Sequence, residues 1–165
     1  MPDPVVLAFE DRSYRRSELD AEVNGLAAAL QKSGVRPGDR VALMSSNRPE
    51  FVFALYAIWR AGAAVVLLSS SWKRAEVEHA LSLTRPTHAI GDQPLLGELM
   101  RMRSLDEPVP PHAEPVGQQP APDSDAVFVF SSGTTGMPKA VRHTHASFAA
   151  AVRPRPRLRN RLLRV

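Results

Sequence analysis

The sequence predicts an α/β fold, a mostly parallel sheet flanked by helices. Three observations predict it. Short β-prone runs alternate with segments of helical apolar spacing between residues 41 and 90. Ala63 to Leu68 is apolar without interruption, as in a strand covered on both faces. The connections are short and punctuated by Gly or Pro, which suits right-handed crossovers.

Each element follows from local signals. Val5 to Phe9 reads as a strand, Glu10-Asp11 as a turn and Arg12 to Tyr14 as a returning strand. Ser17 is the expected N-cap of the first helix, with Asp20 in a capping-box position. Leu19, Val23, Leu26 and Leu30 give that helix one apolar face, and Gly34 ends it. Pro37-Gly38-Asp39 is a turn, and Val41 to Met44 a strand. Ser46-Asn47 are expected to cap the next helix, with Pro49 and Glu50 in its first turn. Phe51 to Arg60 is apolar almost all round, which predicts burial on more than one side. After the strand at 63–68, Ser71 is the expected cap of a helix from about Lys73 to Leu83. Thr87 to Ile90 is a further strand, and Leu95 to Met102 a further helix.

The 165 residues are 44% hydrophobic and 23% charged, the composition of a soluble globular chain. No apolar run approaches the ~20 residues of a membrane span. Met1-Pro2-Asp3-Pro4 has no basic n-region, so a secretory signal is not expected and a cytoplasmic location is. Cysteine is absent, which excludes disulfides, thiolate metal sites and cysteine nucleophiles. The net charge of +4 is unevenly placed. Residues 153–165 hold six arginines and no acid, leaving fifteen basic against seventeen acidic residues, or −2, in residues 1–152.

Four regions are expected: an N-terminal α/β subdomain over 1–105, a Pro-rich linker or loop over 106–124, a strand, loop, strand and helix start over 125–152, and an Arg/Pro-rich, non-homologous tail over 153–165. Between Asp106 and Asp123, six of eighteen residues are proline, which predicts an extended surface segment. Structure resumes at Ala126 to Phe130.

The chemistry lies just after that strand, in Ser131-Ser132-Gly133-Thr134-Thr135-Gly136-Met137-Pro138-Lys139. Glycine lets backbone approach a ligand closely, and N–H groups on a tight turn can nest anionic oxygens. Hydroxyls donate to phosphate, and lysine supplies a compact positive charge. The spacing is neither a Walker A loop nor a G-x-G-x-x-G loop. Without further context, a flexible Ser/Gly turn is the bland alternative.

Phe128 to Lys139 resembles the AMP-binding signature of the adenylate-forming superfamily, which includes acyl-CoA synthetases, luciferases and peptide-synthetase adenylation domains. Upstream, Ser13 to Leu19 is similar to the family's "T/S-Y-x-E-L" box with one extra residue. Gly34 to Ala42 matches "G-V-x-P-G-D-R-V", and Ala61-Gly62-Ala63 matches "A-G-A". Downstream, Val141 to His145 resembles "V-x-x-T-H". Ser69-Ser70-Ser71-Trp72 departs from the family's Pro-containing turn.

The resemblance implies the partial N-terminal large domain of an adenylate-forming enzyme. It implies an acid–CoA ligase of fatty-acid–CoA ligase type: a carboxylic-acid substrate is adenylated by ATP with Mg2+, then passed to coenzyme A. Ser131, Ser132, Gly133, Thr134, Thr135, Gly136 and Lys139 would bind the β- and γ-phosphates, with Thr134 and Thr135 in direct contact and Lys139 adding charge. The family's magnesium-binding glutamate, ribose-binding aspartate and C-terminal lysine have no counterpart in this sequence, so no residue is assigned as catalytic acid, base or nucleophile and the chain is expected to be truncated and inactive alone. The other reading is a non-catalytic ATP-binding or interaction fragment.

Four further features carry less. His143-x-His145 offers two ring nitrogens without a third ligand nearby, so no metal is expected. His79 falls on a helix and His112 in the Pro-rich stretch, neither with a recognisable partner. Trp59 is expected in the core. The Arg/Pro-rich tail lacks interleaved aromatics, so nucleic acid is not an expected partner. Its abrupt change of composition is what a shifted reading frame in GC-rich coding DNA would produce.

Overall fold

The computed structural model describes residues 2–112, 114, 116–117, 119–131 and 136–152. A two-stranded antiparallel hairpin, β1 (Val5–Phe9) and β2 (Arg12–Arg15), precedes helix α1 (Arg16–Lys32). Then come β3 (Arg40–Met44), α2 (Pro49–Arg60), β4 (Ala64–Leu68), α3 (Arg74–Thr84) and β5 (His88–Gly91). The chain continues through α4 (Pro94–Leu99), β6 (Met102–Ser104), β7 (Asp125–Ser131), β8 (Lys139–Thr144) and α5 (His145–Val152).

Six strands form one sheet in the order β6-β5-β3-β4-β7-β8. All neighbours are parallel except the antiparallel pair β7 and β8. Alternation along the strands divides the core in two. Val41, Leu43, Val65, Ile90 and Val127 pack toward α1 and α2, with Leu26, Leu30, Phe53 and Ile58. Ala42, Met44, Val66, Ala89 and Phe128 pack toward α3 and α4, with Val77, Ala80 and Leu96. Both faces of the central strands are therefore dry, which explains the unbroken apolar run in β4. Each fully buried Val, Leu or Ile here contributes about 1.5–3 kcal/mol.

The helices do not start where the serines predicted. The N-cap of α1 is Arg15, and the carboxylate of Glu18 accepts the Arg15 N–H at 2.7 Å. Ser17 is already helical, and its hydroxyl donates to Asp3 at 2.6 Å. The N-cap of α3 is Lys73, not Ser71, and Glu76 accepts the Lys73 N–H at 2.8 Å. For α2 the N-cap is Arg48, followed by Pro49, whose missing N–H costs nothing at that position. In α1 and α3 the capping atom comes from the glutamate three residues on, so a basic residue serves at the cap.

The predicted helix over 95–102 also ends early. Met100 is fully extended (φ −156°, ψ 157°), and Met102–Ser104 joins the sheet beside β5 as an edge strand. The Pro-rich stretch runs over α1. His112 N–H donates to the Ala21 carbonyl at 3.1 Å, and Val109 and Val116 pack on the α1/α2 core. Beneath it, Arg60 joins α2 to α1 through Asp20 at 2.5 Å and through Asn24.

Candidate functional site

β7 and β8 form a hairpin, and Ser131 pairs with Lys139 across it. The connection leaves from the carboxyl end of β7, and β7 runs parallel to β4. Its feet at Ser131 and Lys139 therefore stand at the carboxyl edge of the parallel strands, where ligands bind in open α/β sheets. Ser131 and Lys139 are exposed at its two feet. Gly136 has φ 85°, the left-handed region that a Cβ disfavours, and no other described residue lies within 4 Å of where that Cβ would stand. Ser132, Gly133, Thr134 and Thr135 lie outside the described residues.

The second foot is tied to α3. Pro138 is buried, and its carbonyl oxygen lies 3.1 Å from Nε2 of His79. A carbonyl only accepts, so the ring nitrogen must carry the proton. His79 thus has a partner that sequence reasoning did not find, because the two residues are separated by 59 positions. The first foot is backed by Trp72, whose ring meets Phe130 edge-on at a centroid distance of 5.1 Å. Between β4 and α3, the Ser69 and Ser71 hydroxyls bond each other at 2.8 Å. The segment that departs from the family turn is thus internally hydrogen-bonded.

A second polar cluster occupies the carboxyl ends of β3 and β5, where the crossovers diverge toward opposite edges of the sheet. Asp92 accepts from the Ser46 N–H at 2.9 Å, the Ser46 hydroxyl and the Gln93 amide at 2.7 Å. Arg48 approaches it at 3.5 Å and bonds Glu50 and Asp106, each at 2.8 Å. Burial pushes the Asp92 carboxyl up, but these donors outweigh it and hold the pKa below the ordinary carboxylate value. The hydrogen bond to Glu50, with that to Asp106, raises the Arg48 pKa still further. These groups satisfy one another. A cleft of about 340 Å³ lined by Arg12, Tyr14, Arg48, Glu50 and Asp106 lies nearby, and none of the described residues of the β7–β8 connection lines it.

His143 ends up on β8, and His145 begins α5 with its ring against Trp59 at 5.4 Å. Trp59 is half-buried, and its indole N–H donates to the Ala126 carbonyl. Among the described residues no three His, Asp or Glu side chains gather as a metal site. Among them, too, no helix is long and apolar enough to cross a membrane.

A six-stranded, mostly parallel sheet whose carboxyl edge carries a glycine- and hydroxyl-rich hairpin defines the class: an α/β subdomain of the adenylate-forming type. The chain belongs to the AMP-binding enzyme family, which matches residues 1–161. It is 29% identical to a 2-succinylbenzoate–CoA ligase from Bacillus pumilus, over 92% of this chain and 32% of that protein. It is 36% identical to a feruloyl-CoA synthase from Amycolatopsis, over 79% of this chain and 28% of that protein. Tyrocidine synthase 3 of Brevibacillus parabrevis is 31% identical over 87% of this chain and 2% of that protein. The chain thus spans about a third of the CoA ligases it matches.

Solved structures agree. O-succinylbenzoate coenzyme A synthetase (MenE) from Bacillus subtilis, in complex with ATP and magnesium ion, has a TM-score of 0.78 at 27% identity, over 91% of this chain and 42% of that one. The N-terminal subdomain of Klebsiella oxytoca NpsA, in complex with 3-hydroxybenzoyl-AMSN, has a TM-score of 0.78 at 28% identity, over 87% and 38%.

Proposed function

We propose that the hairpin from Ser131 to Lys139 binds the β- and γ-phosphates of MgATP in the activation of a carboxylic acid, within an acid–CoA ligation. The observation that carries this is the paired footing of Ser131 and Lys139 at the carboxyl edge of the parallel sheet. That footing fits a polyphosphate. A left-handed Gly136 keeps Cβ atoms away from the approach, and the exposed Lys139 ammonium stands where negative charge would lie. In this reading Thr134 and Thr135 donate their hydroxyls, while Ser131, Ser132, Gly133 and Gly136 shape the backbone around the phosphates. Bound ATP supplies the electrophilic phosphorus, and magnesium offsets its charge.

The acid is expected to be aromatic or aliphatic rather than an amino acid. Support comes from the ligation of succinylbenzoate and ferulate to coenzyme A named for two of the relatives. The fatty-acid type belongs on the same panel. The test is calorimetric titration with MgATP. Lys139→Ala and Thr134→Ala should each weaken binding by about tenfold, the loss of a charge-assisted hydrogen bond. Equal affinity in the variants, or no binding by the unsubstituted chain, would reject the reading.

A further inference from the structure

The hairpin is held unevenly. Among the described residues β8 pairs only with β7, and Lys139 to Arg142 are exposed. Its entry therefore depends on few contacts. Pro138 has no N–H, so its carbonyl is the one backbone polar group it can use. Pro138 itself is buried, and its carbonyl meets Nε2 of His79 in a part-buried hydrogen bond. A planar peptide couples the two sides of the bond: fixing the Pro138 carbonyl also fixes the direction of the Lys139 N–H and the path of the chain into Lys139.

We infer that His79 is a positioning residue for the phosphate-binding hairpin, acting through the Pro138–Lys139 peptide and not by contact with nucleotide. The inference rests on the proposed role of that hairpin. His79 stands on α3, a helix anchored to the sheet by the fully buried Val77 and Ala80 on either side of it. It transmits the rigidity of that helix to the foot of a hairpin whose outer strand is otherwise an edge. The contact also sets the ring's tautomer. Neutral His79 carries its proton on Nε2, leaving Nδ1 as the acceptor.

Two measurements without nucleotide decide the contact. Ring nitrogen NMR shifts at neutral pH should report the Nε2–H tautomer. Amides 139–141 should exchange faster in His79→Leu, with His79→Gln, whose amide can still donate, close to the unsubstituted chain. A third measurement decides the role. His79→Leu should weaken MgATP binding about three- to tenfold, the worth of one ordinary hydrogen bond, and His79→Gln should restore it. An Nδ1–H tautomer, or unchanged amide exchange in His79→Leu, would overturn the inference. So would MgATP affinity that is equal in the leucine variant. If the unsubstituted chain binds no MgATP, the proposed function and the positioning role fall together. The tautomer and exchange results would then still decide the contact by itself.

Discussion

The indole N–H of Trp59 donates to the carbonyl oxygen of Ala126 at 2.8 Å. Ala126 is fully buried and lies where the β7–β8 register shifts, between Asp125 and Val127. A register shift leaves a backbone group out of the ladder, and the indole supplies a partner from α2. Trp59→Phe keeps an aromatic ring against His145 and Phe148 but removes that donor. A buried acceptor without a partner costs roughly 1–3 kcal/mol. Urea unfolding should show a loss of that size with an unchanged slope. A loss near zero would mean that the carbonyl finds another donor.

Gly25 offers a test with an unusual sign. In a helix interior Gly→Ala stabilises by about 1 kcal/mol. Here a Cβ would meet the carbonyl oxygen of Pro110, with Pro110 C and a Val109 methyl each at 3.2 Å. The obstacle is backbone, which yields less readily than a side-chain tip. Overpacking of this kind costs about 1–3 kcal/mol, enough to reverse the propensity gain. Gly25→Ala should therefore lower the urea midpoint and speed proteolysis near residues 108–112. A raised midpoint would show that the Pro-rich strap shifts freely on α1.

The strands were legible in the sequence because burial on two faces leaves a strong mark. Ala64–Leu68 needs no polar residue, and the unbroken apolar run says so. The hairpin was legible through composition, since few segments crowd hydroxyls, glycines and a lysine together. Helix starts were less legible, because Ser17 and Ser46 are good caps by type but bond Asp3 and Asp92 instead. Glu18 and Glu76, the capping carboxylates of α1 and α3, read as ordinary first-turn charges. β6 is three residues long and only half-buried, too short for any period to show. The bond of His79 to Pro138 and those of Asp92 to Ser46 could not be read at all. They span 59 and 46 positions, and no local pattern encodes such a meeting.

Asp92 should govern acid stability. Its carboxyl is held below the ordinary 3.8 despite burial, because Ser46, Gln93 and Arg48 favour the charged form. A depressed carboxylate stabilises the fold above the unfolded-state value, and that contribution is lost as pH falls through the folded-state value. The window therefore opens near pH 4 and extends below it. Asp92→Asn should be less stable at pH 7, where the carboxylate's bonds are lost, and its stability should decline less between pH 5 and 3, the span around the ordinary value. Parallel urea midpoints for the two proteins across that range would refute the assignment.

His145 should act in the same direction at higher pH. Its burial against Trp59 disfavours the imidazolium and lowers the pKa from 6.5. The unfolded chain then binds a proton more readily than the folded one below 6.5. Stability is therefore full above that value and declines as pH falls toward the lowered folded-state value. His145→Phe keeps an aromatic edge on Trp59 and removes the titration. The difference between the two proteins isolates this residue from the other histidines. Its urea midpoint should fall less than that of the unsubstituted chain between pH 7.5 and 5, a span that brackets the ordinary histidine pKa. A steeper fall in the phenylalanine variant would mean that the charged ring is stabilised at the start of α5, reversing the sign argued from its burial.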